Sequence, residues 1–196
     1  MGSIGKTIRA TKFNHQKQCF IAYFRKKGIA IRITNVQTYG ITESLVASGY
    51  PMLSEVNPIM ETPVELKDSK ELSRGIRLAQ TPVGAGHDVA LTGIVVQFDL
   101  QAPAYFWPQL QRYRFVDFVS SMSKMHMLTK MDIKSQCTEK TWTETIVIAE
   151  TAIEMFNKGE IDIDTMLSNV PQGLQLTARL STNYRQLKTQ YQQRRT

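Results

Sequence analysis

The sequence predicts a mixed α/β (α+β) fold, on three observations. Apolar and β-branched residues gather in short strand-like stretches at 29–36, 94–100 and 174–180. Other stretches repeat their apolar residues at helical spacing; the longest is 138–157, with Trp142, Ile146, Ala149, Ile153 and Phe156 as a stripe. The two kinds of stretch are interleaved without strict alternation, which argues against a purely doubly wound sheet.

In chain order, residues 29–36 (IAIRITNV) alternate apolar and polar and read as a strand. Residues 42–48 suit a short helix stopped by Gly49 and Pro51. Pro51, Pro58 and Pro63 make 50–65 a loop. Residues 68–80 suit a helix with Leu72, Ile76 and Ala79 on one face, and TPVGAG at 81–86 is a turn. After the strand at 94–100, Pro103 fits the first turn of a helix running to Phe118. That helix would carry Gln109, Arg112, Tyr113 and Arg114 and leave Ser120, Ser121 and Ser123 in a polar loop behind it. The helix at 138–157 ends at Gly159, and a short helix at 162–169 stops near Pro171. The last strand, 174–180, leads into a polar helix capped by Ser181 or Thr182. With no internal repeat, low-complexity tract or linker, the 196 residues read as a single domain, 1–196, large enough to bury a core.

Composition narrows the class. Hydrophobic content of 42% and charged content of 21% are near globular averages, so disorder is not the default. No apolar run approaches the roughly 20 residues that cross a bilayer. The opening MGSIGKTIRA lacks the apolar centre of a signal peptide, and Lys6 stands where myristoylation wants Ser or Thr. Cys19 and Cys137 are far apart and read as reduced thiols, which sets the expectation of a cytoplasmic protein. A net charge of +7 favours anionic partners: nucleotides, nucleic acid or acidic proteins. The basic residues form small groups (Arg25, Lys26 and Lys27; Lys124, Lys130 and Lys134; Arg185, Lys188, Arg194 and Arg195). None reaches the five or six like charges of a nucleic-acid tail.

Several motifs fail on spacing. GSIGKT at 2–7 lacks both the earlier glycine and the strand of a phosphate loop. His15, His87 and His126 have no metal-ligand spacing, so no metal site is expected. No G-x-S-x-G elbow supports a hydrolase. Four features remain. Gly86-His87 follows a turn and precedes a strand, where the imidazole either meets a planar ligand or caps the turn. Gln109, Arg112, Tyr113 and Arg114 offer two guanidinium forks suited to phosphate, or else a solvated face. On an ideal helix Arg112 and Arg114 point about 200° apart, so one ligand cannot use both unless the helix ends near them or two sites meet at a subunit contact. Ser120, Ser121 and Ser123 supply uncharged hydroxyls, common in any small polar loop. Asn183, Arg185 and Arg194 share the last helix, with Asn183 in its first turn, where amide groups can meet an anion; an ordinary charged helix reads the same way.

Taken together these residues resemble the flavin-dependent thymidylate synthase family. Gly86-His87, the strand after it, Ala102-Pro103 and Gln109-x-x-Arg112-Tyr113-Arg114 match one block of that family in order. Pro171, the strand at 174–180, Asn183-Tyr184-Arg185 and Arg194 match a second block. The blocks span 86–126 and 171–195; residues 1–80 carry no matching motif. The resemblance implies a sheet packed with helices and a homotetramer with active sites at subunit contacts. It implies FAD and dUMP as ligands, a methylene taken from folate, and NADPH as reductant. By position, His87, Arg112, Tyr113, Arg114, Asn183 and Arg185 would contact flavin, Gln109, Ser123 and Arg194 the nucleotide, with Ser123 the catalytic candidate.

The chain also departs from the family pattern. Tyr113 replaces the central His of the triplet, and Ser123 lies one residue further from it than usual. Met125-His126 replaces Arg-Tyr, and Leu167 stands where an arginine is expected. At roughly 1.5–3 kcal/mol for each charge-assisted contact, two missing guanidiniums weaken dUMP by about two to four powers of ten. Lys124 could replace one as a point charge without the fork. The leading expectation is thus a divergent homologue that binds flavin, a nucleotide or both, and that makes dTMP if it is active. The alternative is an inactive synthase scaffold holding a nucleotide, nucleic acid or a protein; a purely structural oligomer is a third reading.

Overall fold

The computed structural model describes residues 29–55, 66 and 69–194, and for Arg194 the helical backbone only. The GSIGKT stretch, His15, Cys19, Arg25 to Lys27, Pro58, Pro63, Asp68 and Arg195 lie outside the described residues. The fold is mixed α/β, as expected, and its sheet is antiparallel with four strands in the order β1-β2-β4-β3. These are β1 (Arg32–Tyr39), β2 (Val95–Pro103), β3 (Asp117–Ser121) and β4 (Gln175–Asn183). Among the described residues the helices are α1 (Ile41–Ala47), α2 (Lys70–Ala79), α3 (Trp107–Leu110), α4 (Lys124–Met127), α5 (Ile133–Gln136), α6 (Thr143–Asn157), α7 (Ile163–Ser168) and α8 (Tyr184–Arg194). No described helix is long and apolar enough to cross a membrane.

The described residues divide into two compact units, one within Val36–Gln97 and 181–194, the other within 29–35 and 98–180. In the first unit, α1 and α2 pack through a glycine. Gly75 is the buried residue of α2, and a Cβ there would clash with Leu45 Cδ2. The expected apolar face of α2 is therefore rotated: Ile76 is exposed, and the side without a side chain turns inward. Arg74 Nε donates to Ser48 Oγ at 2.9 Å and Nη2 to Leu45 O at 3.0 Å, which satisfies an orphan carbonyl at the end of α1.

The second unit is built on Leu128, Ile133, Ile146, Ala149, Met166 and Leu174. Here the expected helix from Pro103 to Phe118 is corrected. Pro103 is the extended last residue of β2, and Ala104 N donates to Leu174 O at 2.9 Å, which holds the chain out of helix. A proline inside a helix lacks the amide proton and clashes one turn back, so Pro108 allows only a helix that starts beside it. That helix is α3, four residues long. The chain then turns and forms β3 as the edge strand, so Ser120 and Ser121 belong to a strand and not to a loop.

Three other boundaries shift. The first strand starts later than expected and reaches Tyr39, past Asn35 at φ 48°. α6 begins at Thr143, because Thr138 N donates to Gly173 O at 3.0 Å and Cys137 pairs with Leu174, so that the chain here is extended. Trp142 accordingly leaves the apolar stripe and is 76% exposed. The expected cap of the last helix at Ser181 or Thr182 moves to Asn183, whose Oδ1 accepts from Gln186 N at 3.0 Å while β4 continues through both earlier residues.

Candidate functional site

In the first unit, the Gly-His turn is shaped by backbone that only glycine takes readily: Gly84 has φ 92° and Gly86 φ 78°. The turn leaves His87 exposed and sends the next residue, Asp88, inward to 1% exposure. Asp88 meets two cations of α8. Lys188 Nζ lies 2.6 Å from Oδ2, and Arg185 Nε lies 3.1 Å from Oδ1. Arg185 and Lys188 are three residues apart, hence neighbours on one helix face. Burial pushes the Asp88 carboxyl up, but the Lys188 hydrogen bond and the charges of Lys188 and Arg185 outweigh it and hold the group below its ordinary 3.8. Among the described residues, the terminal guanidinium nitrogens of Arg185 have no hydrogen-bond partner. Asn183 is the last residue of β4; its oxygen serves Gln186, and Tyr184 N donates to Ile94 O at 3.0 Å. The start of α8 is thus partly satisfied from within. Arg194 is the last residue of the same helix.

The second unit carries the triplet. Because α3 stops at Leu110, Arg112, Tyr113 and Arg114 lie on a turn, and the ideal-helix angle between the two arginines no longer applies. Gln109, Arg112 and Arg114 are exposed, and Tyr113 is half-buried with its N–H donating to Leu110 O at 3.0 Å. Trp107, ahead of this turn, donates Nε1 to Ala102 O at 3.3 Å and packs its ring 5.7 Å from that of Phe118, behind the turn. The aromatic pair closes the turn at its base. Ser123 caps α4, its Oγ accepting from His126 N at 3.4 Å. Among the described residues no carboxylate or imidazole nitrogen bonds that hydroxyl. Leu167 packs against the core of the unit.

The motif residues therefore lie in two groups: His87, Asn183, Arg185 and Arg194 in the first unit, and Gln109, Arg112, Tyr113, Arg114 and Ser123 in the second. Sequence reasoning missed Asp88 altogether and counted Lys188 only as surface charge. The one local signal was a lone acid beside the histidine, with two cations three residues apart far downstream. The second unit also holds an open cleft of about 1060 Å³, lined among others by Tyr105, Cys137, Thr141, Trp142 and Gly173; Pro171 of the second motif block lines it, but none of the expected ligand-contact residues does. Burial pushes the Cys137 thiol up, so it is a poor nucleophile at neutral pH. Among the described residues no three His, Cys, Asp or Glu side chains converge as a metal cluster.

No protein-family model matches this chain, and no curated protein sequence does. Solved structures do. Thymidylate Synthase X (ThyX) from Helicobacter pylori, crystallised with FAD and dUMP, is 12% identical over 80% of this chain and 79% of its own, with a TM-score of 0.56. A second structure of the flavin-dependent enzyme from that organism, also with FAD and dUMP, has a TM-score of 0.53 at the same identity and coverage. The UMP/dUMP methylase PolB from Streptomyces cacaoi, bound with 5-Br dUMP, is 12% identical over 81% of this chain and 74% of its own, with a TM-score of 0.51. The chain has a ThyX-like fold.

Proposed function

We propose that this protein binds a flavin nucleotide on its ThyX-like fold, and that it binds dUMP more weakly than a synthase with the full set of phosphate ligands. One observation carries the reading: Arg112, Arg114 and Arg185 all stand at the motif positions of a flavin site, and among the described residues their terminal nitrogens have no ion-pair partner. Unpaired guanidinium forks suit a diphosphate, and the exposed imidazole of His87 suits a planar ring. Each of these groups by itself suits a part of FAD, the molecule held by the two H. pylori neighbours. Taken unit by unit, His87, Asn183 and Arg185 of the first and Arg112, Tyr113 and Arg114 of the second are each proposed as flavin contacts, the guanidiniums toward phosphate. Once bound, the flavin supplies the redox chemistry and the protein supplies position and charge.

Two observations set the limit on dUMP. Leu167 is half-buried against the core, and Met125 is 58% exposed, and neither has a charge to offer. Gln109, Ser123 and Arg194 remain as nucleotide contacts, with Lys124 as a point charge. Methylation of dUMP to dTMP with FAD, NADPH and methylene-folate is the activity this site would support if a nucleotide binds. The second reading, a binding protein without catalysis, is favoured by the commitment of the Ser123 hydroxyl to a helix cap.

A visible absorption spectrum of the purified protein before and after adding FAD tests the proposal. Bound flavin with a shifted absorption band supports it; a colourless protein that takes up no FAD overturns it. If flavin binds, rescue of a thymidine auxotroph separates synthase from binding protein, and light scattering tests the homotetramer the resemblance implies.

A further inference from the structure

Among the described residues of the first unit Asp88 is the least accessible charged group, and burying a carboxylate is costly unless it is paired. Here the two pairing partners differ in kind. Lys188 is 9% exposed and gives its ammonium to Oδ2. Arg185 is 31% exposed and meets Oδ1 through Nε alone. Side-on contact through Nε fixes the plane of a guanidinium while leaving its terminal edge open. An Arg paired fork-to-fork would have spent both outer donors on the carboxylate. Asp88 and Lys188 sum to zero charge, so the triad carries one net positive charge, located on its most accessible member.

We propose that Asp88 is a positioning residue: backed by Lys188, it holds the Arg185 guanidinium side-on so that its outer edge receives the phosphate of a bound nucleotide. This rests on the proposed flavin site for the identity of the ligand but not for the bracket itself. It assigns roles to two side chains that carry no motif. The arrangement pre-orders a long side chain that would otherwise lose its rotamer freedom on binding.

The competing view is that the triad merely pins α8 to the Gly-His turn. Asp88→Asn alone does not separate the two, since it strands the buried Lys188 and is expected to unfold the protein. The double variant Asp88→Asn with Lys188→Gln does, because removing both members of a buried pair is often nearly neutral for stability. Two readouts are needed: the Arg185 side-chain ¹⁵Nε–¹Hε cross-peak, identified by its loss in Arg185→Lys, and FAD affinity by fluorescence titration. The double variant is expected to melt within a few degrees of the wild type. Its Arg185 Hε signal should be lost to exchange, and its FAD dissociation constant should rise at least tenfold. Arg185→Ala should cost at least tenfold in the wild type and under threefold in the double variant. A folded double variant with wild-type FAD affinity overturns the proposal. So does an unchanged Hε signal, or an Arg185→Ala effect of equal size in both backgrounds. If the wild type takes up no FAD, the flavin reading falls, and inorganic pyrophosphate replaces FAD as the probe. The bracket then stands if pyrophosphate binds the wild type at least tenfold more tightly than the double variant by calorimetry, and falls if the two bind it equally or neither binds it.

Discussion

Charge and burial work against each other at the residues that matter most. Asp88 is held below 3.8 in the folded chain, so the stability it adds is fully present above about pH 4 and is lost as pH falls through its folded value. The wild-type melting temperature should therefore drop more steeply with acid below pH 4 than that of the Asp88→Asn, Lys188→Gln variant; parallel acid limbs would count against the pairing. The missing phosphate ligands permit a gain-of-function test. Met125 is exposed, so Met125→Arg should change stability by no more than about 0.5 kcal/mol. One restored charge-assisted contact of about 1.5–3 kcal/mol should tighten dUMP roughly tenfold or more, measured by calorimetry. Gln109, Arg112, Arg114 and Arg185 were legible in the sequence because a motif is a matter of local spacing. Asp88 was not, because its partners lie 97 and 100 residues away.

Helices and strands were legible where one local signal dominated. Asp162 begins α7 because its side chain accepts from Thr165 N at 2.8 Å, and Gly159 ends the helix before it at φ 75°. The reading failed between Pro103 and Phe118, where one proline was credited with starting a helix and the second, Pro108, was not charged with limiting it. It failed in detail at α2, where of the expected face Leu72 and Ala79 are half-buried but Ile76 is exposed and Gly75 is the residue turned inward. Gly75 gives a sharp test of which effect wins there. Helix propensity alone makes Gly75→Ala stabilising by about 1 kcal/mol. A Cβ there clashes with Leu45 Cδ2, so the buried Leu45 side chain or the helices must shift, at a cost of about 1–3 kcal/mol. We expect net destabilisation in urea unfolding; a gain would show that Leu45 moves aside freely.

Across the sheet, one side chain ties strands that the sequence keeps far apart. Arg179 of β4 donates Nη1 to Asp99 of β2 at 3.1 Å and to Asn35 O of β1 at 2.7 Å. Both ends of the Arg179–Asp99 pair are under a third exposed, so it is screened less than a surface pair. Arg179→Met keeps the stem and removes both bonds; we expect a loss of about 1–3 kcal/mol in the same assay. A change under about 0.5 kcal/mol would mean the clamp is incidental.

The sequence by itself determined the mixed α/β class, the approximate place of most elements and the residue types of the two motif blocks. All of these follow from short-range facts: the period of apolar residues, the backbone demands of Pro and Gly, and the spacing of charges. Tertiary structure alone decided the strand order β1-β2-β4-β3, the end of α3 at Leu110 that puts Arg112 and Arg114 on a turn, the glycine face of α2 and the bracket at Asp88. Each of those depends on which distant groups compete for one hydrogen bond or one volume, and that competition exists only once the chain has closed on itself.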